Sequence, residues 1–167
     1  MFETNRLRLR PSALNDVDTF HAIWTDPGVR RYLWDNQAIE REVAEAVIRD
    51  SVQTFAHTGI GQWLVTTAAS GEVAGFFGLR AIEGTPADIE LLYGFFPQFW
   101  GQGYAVEASR ALIDYAFNTV RLPHLVVEMD EPNVASARVA EKLGARFIKR
   151  YSRNNLPTLR YVLNAPA

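Results

Sequence analysis

The stretch from residue 89 to residue 108, IELLYGFFPQFWGQGYAVEA, constrains the fold of this chain more than any other segment. An extended apolar run rich in aromatic side chains stops at Pro97, two glycines flank Gln102, and a helix-compatible pattern follows Gly103. A strand, a glycine turn and a helix N-terminus in this order form an anion cradle. Glycine lets the backbone approach a phosphate closely, and the helix dipole favours the negative charge. The segment therefore predicts a phosphate-binding turn in an α/β fold.

Two common phosphate-binding motifs do not fit this turn. The P-loop of nucleoside triphosphatases requires Lys and then Ser or Thr after its last glycine, whereas Gly103 is followed by Tyr104 and Ala105. The dinucleotide-binding fingerprint requires a third glycine at the position of Val106. Both of these nucleotide-binding classes are excluded.

The turn resembles the acetyl-CoA loop of the GNAT acyltransferases, which reads Arg/Gln-x-x-Gly-x-Gly/Ala between a strand and a helix. Residues 97–108 match, position for position, the pattern P-x-F/Y-W-G-x-G-Y-A-x-E-A of the branch that includes the ribosomal-protein N-acetyltransferases (Rim type). Trp100 stands where most GNAT enzymes have Arg or Gln, and this branch shares that change. Residues 4–11, TNRLRLRP, and residues 133–144, with N-x-x-S and E-K-x-G patterns, also resemble the branch.

The resemblance implies a single α/β domain over residues 1–167 with the GNAT acyl-CoA N-acyltransferase fold. In that fold a mixed, twisted sheet of six to seven strands carries helices on both faces, and two adjacent parallel strands splay to admit the pantetheine arm of acetyl-CoA. Acetyl-CoA is the implied co-substrate. The residues assigned to cofactor binding are Phe95, Phe96, Gly101, Gln102, Gly103, Tyr104, Ala105 and Asn133. Asn133 has a second interpretation, because a helix N-cap needs no ligand.

Hydrophobic periodicity predicts the element order β-α-α-β-β-β-α-β-α-β-β. The predicted strands cover residues 6–10, 62–68, 73–82, 88–96, 125–129, 147–151 and 159–163. The predicted helices cover residues 16–24, 38–57, 103–120 and 133–144. The helix at 38–57 is expected to bury a stripe formed by Ile39, Val43, Val47 and Phe55, and Gly59 suits its C-terminus.

Composition excludes several classes of function. The chain has no cysteine, which excludes a thiol nucleophile and a thiolate metal site, and its three histidines lack metal-ligand spacing. A net charge of −2 gives no general attraction to nucleic acid. No apolar run approaches the ~20 residues of a membrane span, and the N-terminus lacks an apolar signal region. We expect a cytoplasmic protein without a metal, and homodimer formation stays open.

Transfer of an acyl group from a thioester to an amine requires a base for the amine, donors for the oxyanion and an acid for the thiolate. Glu90 is the candidate base, in a segment that matches the family motif A-E-I/L-x-Y loosely. Its apolar neighbours would desolvate the carboxylate and make it a better proton acceptor. Glu90 can also be an amine anchor or a solvent-facing residue at a strand edge. Backbone N–H groups of residues 93–95 are the candidate oxyanion donors.

Ser136 is the candidate acid. Many GNAT enzymes place a tyrosine one helical turn later, where this chain has Ala140, and the Rim-type branch often has serine at the position of Ser136. The alternative is that Ser136 only begins a helix, a position where serine is common.

The acceptor side of the fold is formed in part by the N-terminal helices. Trp34 and Asp35 are the candidate acceptor-binding pair, because an aromatic wall beside a carboxylate suits a cationic amine. The resemblance favours the α-amine of a protein N-terminus as the acceptor. A small amine or an antibiotic remains an alternative acceptor, and a non-catalytic acyl-CoA sensor remains an alternative function.

Overall fold

The computed structural model describes residues 1–166, which form one eight-stranded sheet with helices on both faces. The strands are β1 (Phe2–Glu3), β2 (Leu7–Pro11), β3 (Gln62–Thr67), β4 (Val73–Ile82), β5 (Thr85–Phe95), β6 (His124–Asp130), β7 (Arg146–Arg153) and β8 (Leu156–Asn164). The helices are α1 (Val17–Thr25), α2 (Pro27–Arg30), α3 (Arg41–Thr58), α4 (Tyr104–Asn118) and α5 (Val134–Lys142). The strand order is β1-β2-β3-β4-β5-β6-β8-β7.

The junction of β5 and β6 is the irregular part of this sheet. All the other neighbouring strands are antiparallel, whereas β5 and β6 run parallel and pair at Glu90 and Val126 alone. The strands separate beyond that pair, so the C-terminal halves of β5 and β6 border a V-shaped slot. Backbone N–H and C=O groups that face the slot lack the inter-strand hydrogen bonds that a regular sheet supplies. The expectation of two splayed parallel strands is confirmed.

Each face of the sheet carries its own apolar cluster. On one face, α4 and α5 contribute buried residues such as Leu112 and Ala140. On the other face, α1 and α3 contribute Phe20, Trp24 and Ile48. We call these the α4/α5 face and the α1/α3 face. Because side chains alternate along a strand, neighbouring residues of β5 belong to different faces.

The predicted strand number and one helix need correction. The sheet has eight strands rather than six to seven, because β1 has two residues and is too short for any periodic pattern. The region predicted as a turn before residue 34 begins with the short helix α2, whose first N–H groups are bound by the carboxylate of Asp26. The chain order of the remaining elements agrees with the prediction.

The prediction of the buried stripe of α3 was wrong in part. The fully buried positions are Ala44, Ile48 and Ser51, whereas Val43 is 39% exposed. Ser51 occupies a core position because its Oγ accepts the backbone N–H of Gln62 at 2.7 Å. A pattern of apolar residues does not include a buried serine, and the predicted buried face of α3 was therefore displaced from the observed one.

The predicted helix end at Gly59 is confirmed, and a tight turn closes the last hairpin. Gly59 ends α3 in the left-handed conformation, with φ of 71°, and its N–H donates to the carbonyl of Phe55. Asn154 and Asn155 join β7 and β8 with φ of 51° and 63°, the conformation that two-residue hairpins with a type I′ turn require.

A buried ion pair joins the end of β2 to the start of α1. Both Nη atoms of Arg10 donate to the carboxylate of Asp16 at 2.6 Å, and the backbone N–H of Ala13 donates to it at 2.8 Å. The hydrogen bonds from Arg10 hold the pKa of Asp16 below its ordinary range, against the opposing effect of burial.

We expect Asp16→Asn to lower the free energy of unfolding by about 2 kcal/mol at pH 7, since a charge-assisted hydrogen-bond pair is lost. The folded-state pKa of Asp16 is depressed, so its contribution is present above the unfolded value of ~3.9 and is lost as the pH falls below it. Urea denaturation between pH 2 and pH 7 should therefore show the two proteins converging in stability at the acid end. Asp18→Asn, at an exposed carboxylate, is the control and should change little. A gap between Asp16→Asn and wild type that persists unchanged below pH 3 would contradict this assignment.

Candidate active site

The glycine turn lies at the open end of the slot, directly after β5. Gly101 and Gly103 have φ of 73° and 80°, a left-handed conformation that side chains rarely adopt. Gly103 is the N-cap of α4, and the N–H groups of the first turn of a helix have no acceptor within the helix. Nothing lies within 4 Å of a Cβ built on Gly101, so its outer side is open. Residues 101–105 thus form a cradle with its N–H groups and helix dipole available to an anion.

The aromatic residues around the turn hold it in place. The indole Nε1 of Trp100 donates to the carbonyl of Phe95 at 2.7 Å, and the N–H of Phe96 donates to Ala74 at 3.0 Å. The ring of Phe95 is 6% exposed and packs against Phe77. Any contact that Phe95 makes with a cofactor must therefore use its backbone.

Arg6 is a functional candidate that the sequence reasoning missed. Its Nη1 donates to the carbonyl of Gln102 at 2.9 Å, and its guanidinium lies 4.5 Å above the ring of Tyr104. The same side chain binds Glu107, and Thr4 donates to that carboxylate as well. Burial disfavours the charge of Glu107, but these hydrogen bonds outweigh it and leave the pKa lowered. A carboxylate beside the anion cradle is thereby neutralised.

On the α4/α5 face, Ser136 meets a tyrosine from β5. The Oη of Tyr93 lies 3.0 Å from the Oγ of Ser136, and burial raises the pKa of Tyr93 to about 12. The Oδ1 of Asn133 accepts the N–H of Ser136 at 3.2 Å, so Asn133 caps α5. Ala140 is fully buried, and a tyrosine there would overpack the core. Tyr93 thus places a phenol beside Ser136, whereas position 140 has none.

On the α1/α3 face, Glu90 is buried and ion-paired. The residue is 4% exposed, and both Nε and Nη2 of Arg80 lie 2.8 Å from its Oε2. The expected desolvation is present, but the carboxylate is not surrounded by apolar groups alone. Arg80 lies directly opposite Glu90 in the β4–β5 register, which a sequence can suggest only after the hairpin is aligned.

A cavity of about 730 Å³ opens on the α1/α3 face, between α3 and strands β3 to β5. Its lining includes apolar residues of both layers, the side chain of Arg80 and the amide of Gln62. Representative lining residues are Trp24, Leu33, Trp34, Val47, Asp50, Gln62, Arg80 and Leu92. Trp34 and Arg80 thus line the same cavity, and the role of Trp34 in acceptor binding stays a prediction.

Asp35 does not line this cavity and lies near Asp130, at the C-terminal end of β6. Trp34, Asp35 and Asn36 are successive left-handed residues, with φ of 55°, 51° and 61°, and such conformations cost energy in non-glycine residues. The Oη of Tyr32 donates to the carbonyl of Pro132 at 3.2 Å and ties this segment to the end of β6. Burial raises the pKa of Asp130, and the charge of nearby Asp35 adds to that effect.

The candidate residues thus divide between the two faces of the slot. Glu90 and Trp34 lie on the α1/α3 face, whereas Ser136 and Tyr93 lie on the α4/α5 face. A carbonyl held in the slot can be approached by a nucleophile from the first face while its leaving group meets a hydroxyl on the second.

Residues 1–166 contain no group of three or more histidine, aspartate or glutamate side chains arranged to hold a metal ion. Among their helices, none is long and apolar enough to cross a membrane.

Comparison with known proteins agrees with this geometry. YkkB of Bacillus subtilis (strain 168), an uncharacterized protein, is 33% identical over 161 residues, which cover 95% of this chain and 92% of YkkB. The uncharacterized N-acetyltransferase p20 of Bacillus licheniformis is 28% identical over 84% of this chain and 79% of p20.

A solved structure extends the agreement to the fold. The acetyltransferase of Salmonella typhimurium that modifies the N-terminal serine of ribosomal protein L7/L12 superposes with a TM-score of 0.80. It is 18% identical, and the match covers 98% of this chain and 97% of that one. Residues 6–146 match the family described as acetyltransferase (GNAT) domain, so the chain belongs to the GNAT family of acetyltransferases.

Proposed function

We propose that this protein moves the acetyl group of acetyl-CoA to a primary amine by direct attack in a ternary complex. The observation that carries the proposal is the slot beyond the Glu90–Val126 pair, with Glu90 on one face and Ser136 on the other. An amine and a thioester brought together there react without a covalent enzyme intermediate, which suits a chain that has no cysteine.

The amine nitrogen attacks the thioester carbonyl, a C–N bond forms and the C–S bond breaks. Glu90 takes the proton that the amine loses, directly or through one water. Backbone N–H groups among residues 93–95 stabilise the oxyanion. The departing thiolate takes a proton from Ser136, Tyr93 replaces it across the 3.0 Å hydrogen bond, and water then returns a proton to Tyr93 while Glu90 releases the amine proton to water. Tyr93 is a neutral phenol again before the next turnover at physiological pH, because its pKa is about 12.

The chain fits the co-substrate at two places. The left-handed glycines and the free helix N-terminus suit the pyrophosphate, and a neutralised Glu107 removes the charge that would oppose it. The slot suits the pantetheine arm, which carries amide groups that can bond with unpaired strand edges. Asn133, at the start of α5, is the proposed side-chain partner of that arm.

Two acceptor classes have support. The α-amine of a protein N-terminus is favoured by the Rim-type resemblance, and the Salmonella neighbour modifies such an amine. A small amine is favoured by the cavity lined by Arg80, the ion-pair partner of Glu90, because its size suits a compact molecule. A screen of purified protein with acetyl-CoA, serine-initiated peptides and small primary amines decides between them by the release of free thiol. No thiol release with either panel would favour the alternative of a non-catalytic acyl-CoA sensor.

We expect acetyl-CoA to raise the melting temperature by the amount that RT ln(1 + [L]/Kd) predicts, and Gly103→Val to remove that gain. Valine at a φ of 80° is strained, and its side chain blocks the approach of the pyrophosphate. Gly71→Val introduces the same strain in the β3–β4 turn and is the matched control, which should keep the ligand-induced gain. An undiminished gain in folded Gly103→Val protein would show that the phosphates bind elsewhere.

We expect Glu90→Gln to keep the affinity for acetyl-CoA and to lower turnover, most strongly below pH 8. Below pH 8 an alkylamine with a pKa of ~10 is mainly protonated, so the loss of the base lowers turnover most in this range. Initial rates from pH 6 to pH 9 measure the effect, with Glu83→Gln, at an exposed turn residue, as the control. Turnover within about twofold of wild type across this range would exclude Glu90, since a general base contributes ~10²-fold or more.

We expect Ser136→Ala to lower kcat by ~10-fold to 100-fold, because serine is a weak acid and the thiolate leaves readily. Tyr93→Phe should act in the same direction. If the two hydroxyls form one relay, the double variant should be no slower than the slower single variant. Independent, multiplicative losses would show that the hydroxyls do not work as one unit, and a full-rate Ser136→Ala enzyme would show that water protonates the thiolate.

A further inference from the structure

One oxygen of the Glu90 carboxylate is bound by the protein, and the other is not. The side chain is 5% exposed, and both Nε and Nη2 of Arg80 lie 2.8 Å from its Oε2. No donor within residues 1–166 binds Oε1. Oε1 is nevertheless not among the fully enclosed polar atoms that lack a partner, so the small exposed fraction of the side chain includes this oxygen.

The ion pair of Glu90 differs in this respect from three others that are buried or half-buried. In Asp16, Glu107 and Glu128, donors bind both carboxylate oxygens. Arg10, for example, divides its two Nη atoms between the two oxygens of Asp16, the bidentate form that arginine commonly adopts. A nearly buried oxygen without a donor is costly to a fold. The free Oε1 of Glu90 is therefore available to a group that binds from outside.

Strand register places Arg80 where it can hold Glu90 in this way. The two residues lie directly opposite each other in β4 and β5, and Glu90 pairs on its other side with Val126 of β6. Arg80 is half exposed and lines the cavity on the α1/α3 face. The carboxylate is thus held from the β4 side, at the point where the slot begins.

The other charged groups on this face have partners of their own. Asp88 and Glu128 belong to a separate network with Tyr151, His124, Arg153 and Arg160. From α3, Asp50 lines the same cavity as Arg80. In the described part of the chain, none of these groups binds Glu90. Arg80 is therefore the positive charge that compensates Glu90.

That charge affects how readily Glu90 takes and releases a proton. Burial disfavours the charged form of a carboxylate, and a neighbouring guanidinium favours it. A base must be ionised before it can accept the proton of an amine, and it must lose that proton before the next turnover. Arg80 favours both steps, whereas a buried carboxylate without a partner would take up a proton from the solvent and stop acting as a base.

Resting on the proposed acetyl transfer, we infer that Arg80 is a positioning residue for Glu90. Its guanidinium holds Oε2 and leaves Oε1 to take the proton that the amine loses as the C–N bond forms. The proton then passes from Oε1 to water. The positive charge keeps the carboxylate ionised between turnovers and so extends activity to lower pH.

The protonation of Glu90 can be followed without acceptor or cofactor, by the carbon-13 chemical shift of its carboxyl group in glutamate-labelled protein. Glu90→Gln identifies the resonance. We expect the resonance to stay constant from pH 6 to pH 9 in wild type and in Arg80→Lys, which keeps the charge, and to titrate within this range in Arg80→Met. Arg8→Met is the matched control, because Arg8 also lies opposite a glutamate, Glu3, in an exposed ion pair.

The kinetic test uses acetyl-CoA with a serine-initiated peptide, or with phenethylamine if the peptide is not acetylated. Arg80→Met should lose at least ~10-fold more kcat/KM at pH 6 than at pH 9, whereas Arg80→Lys and Arg8→Met should keep the pH profile of wild type. In the Glu90→Gln background, Arg80→Met should cause no further pH-dependent loss, because its charge acts through Glu90.

A Glu90 resonance that behaves alike in wild type and Arg80→Met would overturn the role of Arg80. A loss of kcat/KM that is equal at pH 6 and pH 9 would overturn it as well. A titration that appears in Arg80→Met, while wild type acetylates no amine, would support the effect of Arg80 on Glu90 and count against the proposed acetyl transfer alone. If Arg80→Met does not fold, Arg80→Gln, which is neutral but can still donate to Oε2, gives the same comparison.

Discussion

The separation of β5 from β6 is the constraint on which the rest of the site depends. A parallel pair normally continues along both strands, but here it stops at Glu90 and Val126, and the two C-terminal halves diverge. Divergence leaves backbone groups unpaired and would be unfavourable in a closed core. It is compatible with a stable fold because an antiparallel partner holds the other edge of each strand, β4 beside β5 and β8 beside β6. The sheet thus remains continuous around the slot.

Because side chains alternate along β5, its candidate functional residues lie on both faces of the sheet. Glu90 and Tyr93 are three residues apart and lie on opposite faces, each against a different layer of helices. Glu90 pairs with Arg80 near the cavity, while Tyr93 meets Ser136 under α5. One short strand therefore supplies a proton acceptor on one side of the slot and a proton donor on the other. The glycine turn that follows the same strand adds the anion cradle, so a single continuous segment determines three parts of the site.

That continuity explains what could be predicted from the sequence. The strand, the turn and the start of α4 are contiguous, and Gly101 and Gly103 have the conformations that their positions in the motif predict. Arg6, Arg80 and Tyr93 acquire their partners from distant parts of the chain, through strand register and helix packing that periodicity does not specify. The buried serine of α3 and the two-residue β1 were missed for a related reason, since neither produces an apolar pattern. Local motifs could be predicted from the sequence, whereas residue pairings across the sheet could not.

Several polar features of this fold carry a cost in stability. Trp34, Asp35 and Asn36 hold left-handed backbone conformations, Glu90 is a buried carboxylate, and Gln62 is a buried amide with an unpaired oxygen. Unpaired buried groups occur on the other face as well, at the Nε1 of Trp63 and the Oγ of Ser109, so such groups alone do not distinguish the two faces. What distinguishes the α1/α3 face is the buried carboxylate of Glu90, whose charge is compensated by Arg80. A buried carboxylate is costly unless it is paired, and such groups persist where binding or chemistry compensates them. The Arg80–Glu90 pair is therefore the feature that favours approach of the acceptor from that side.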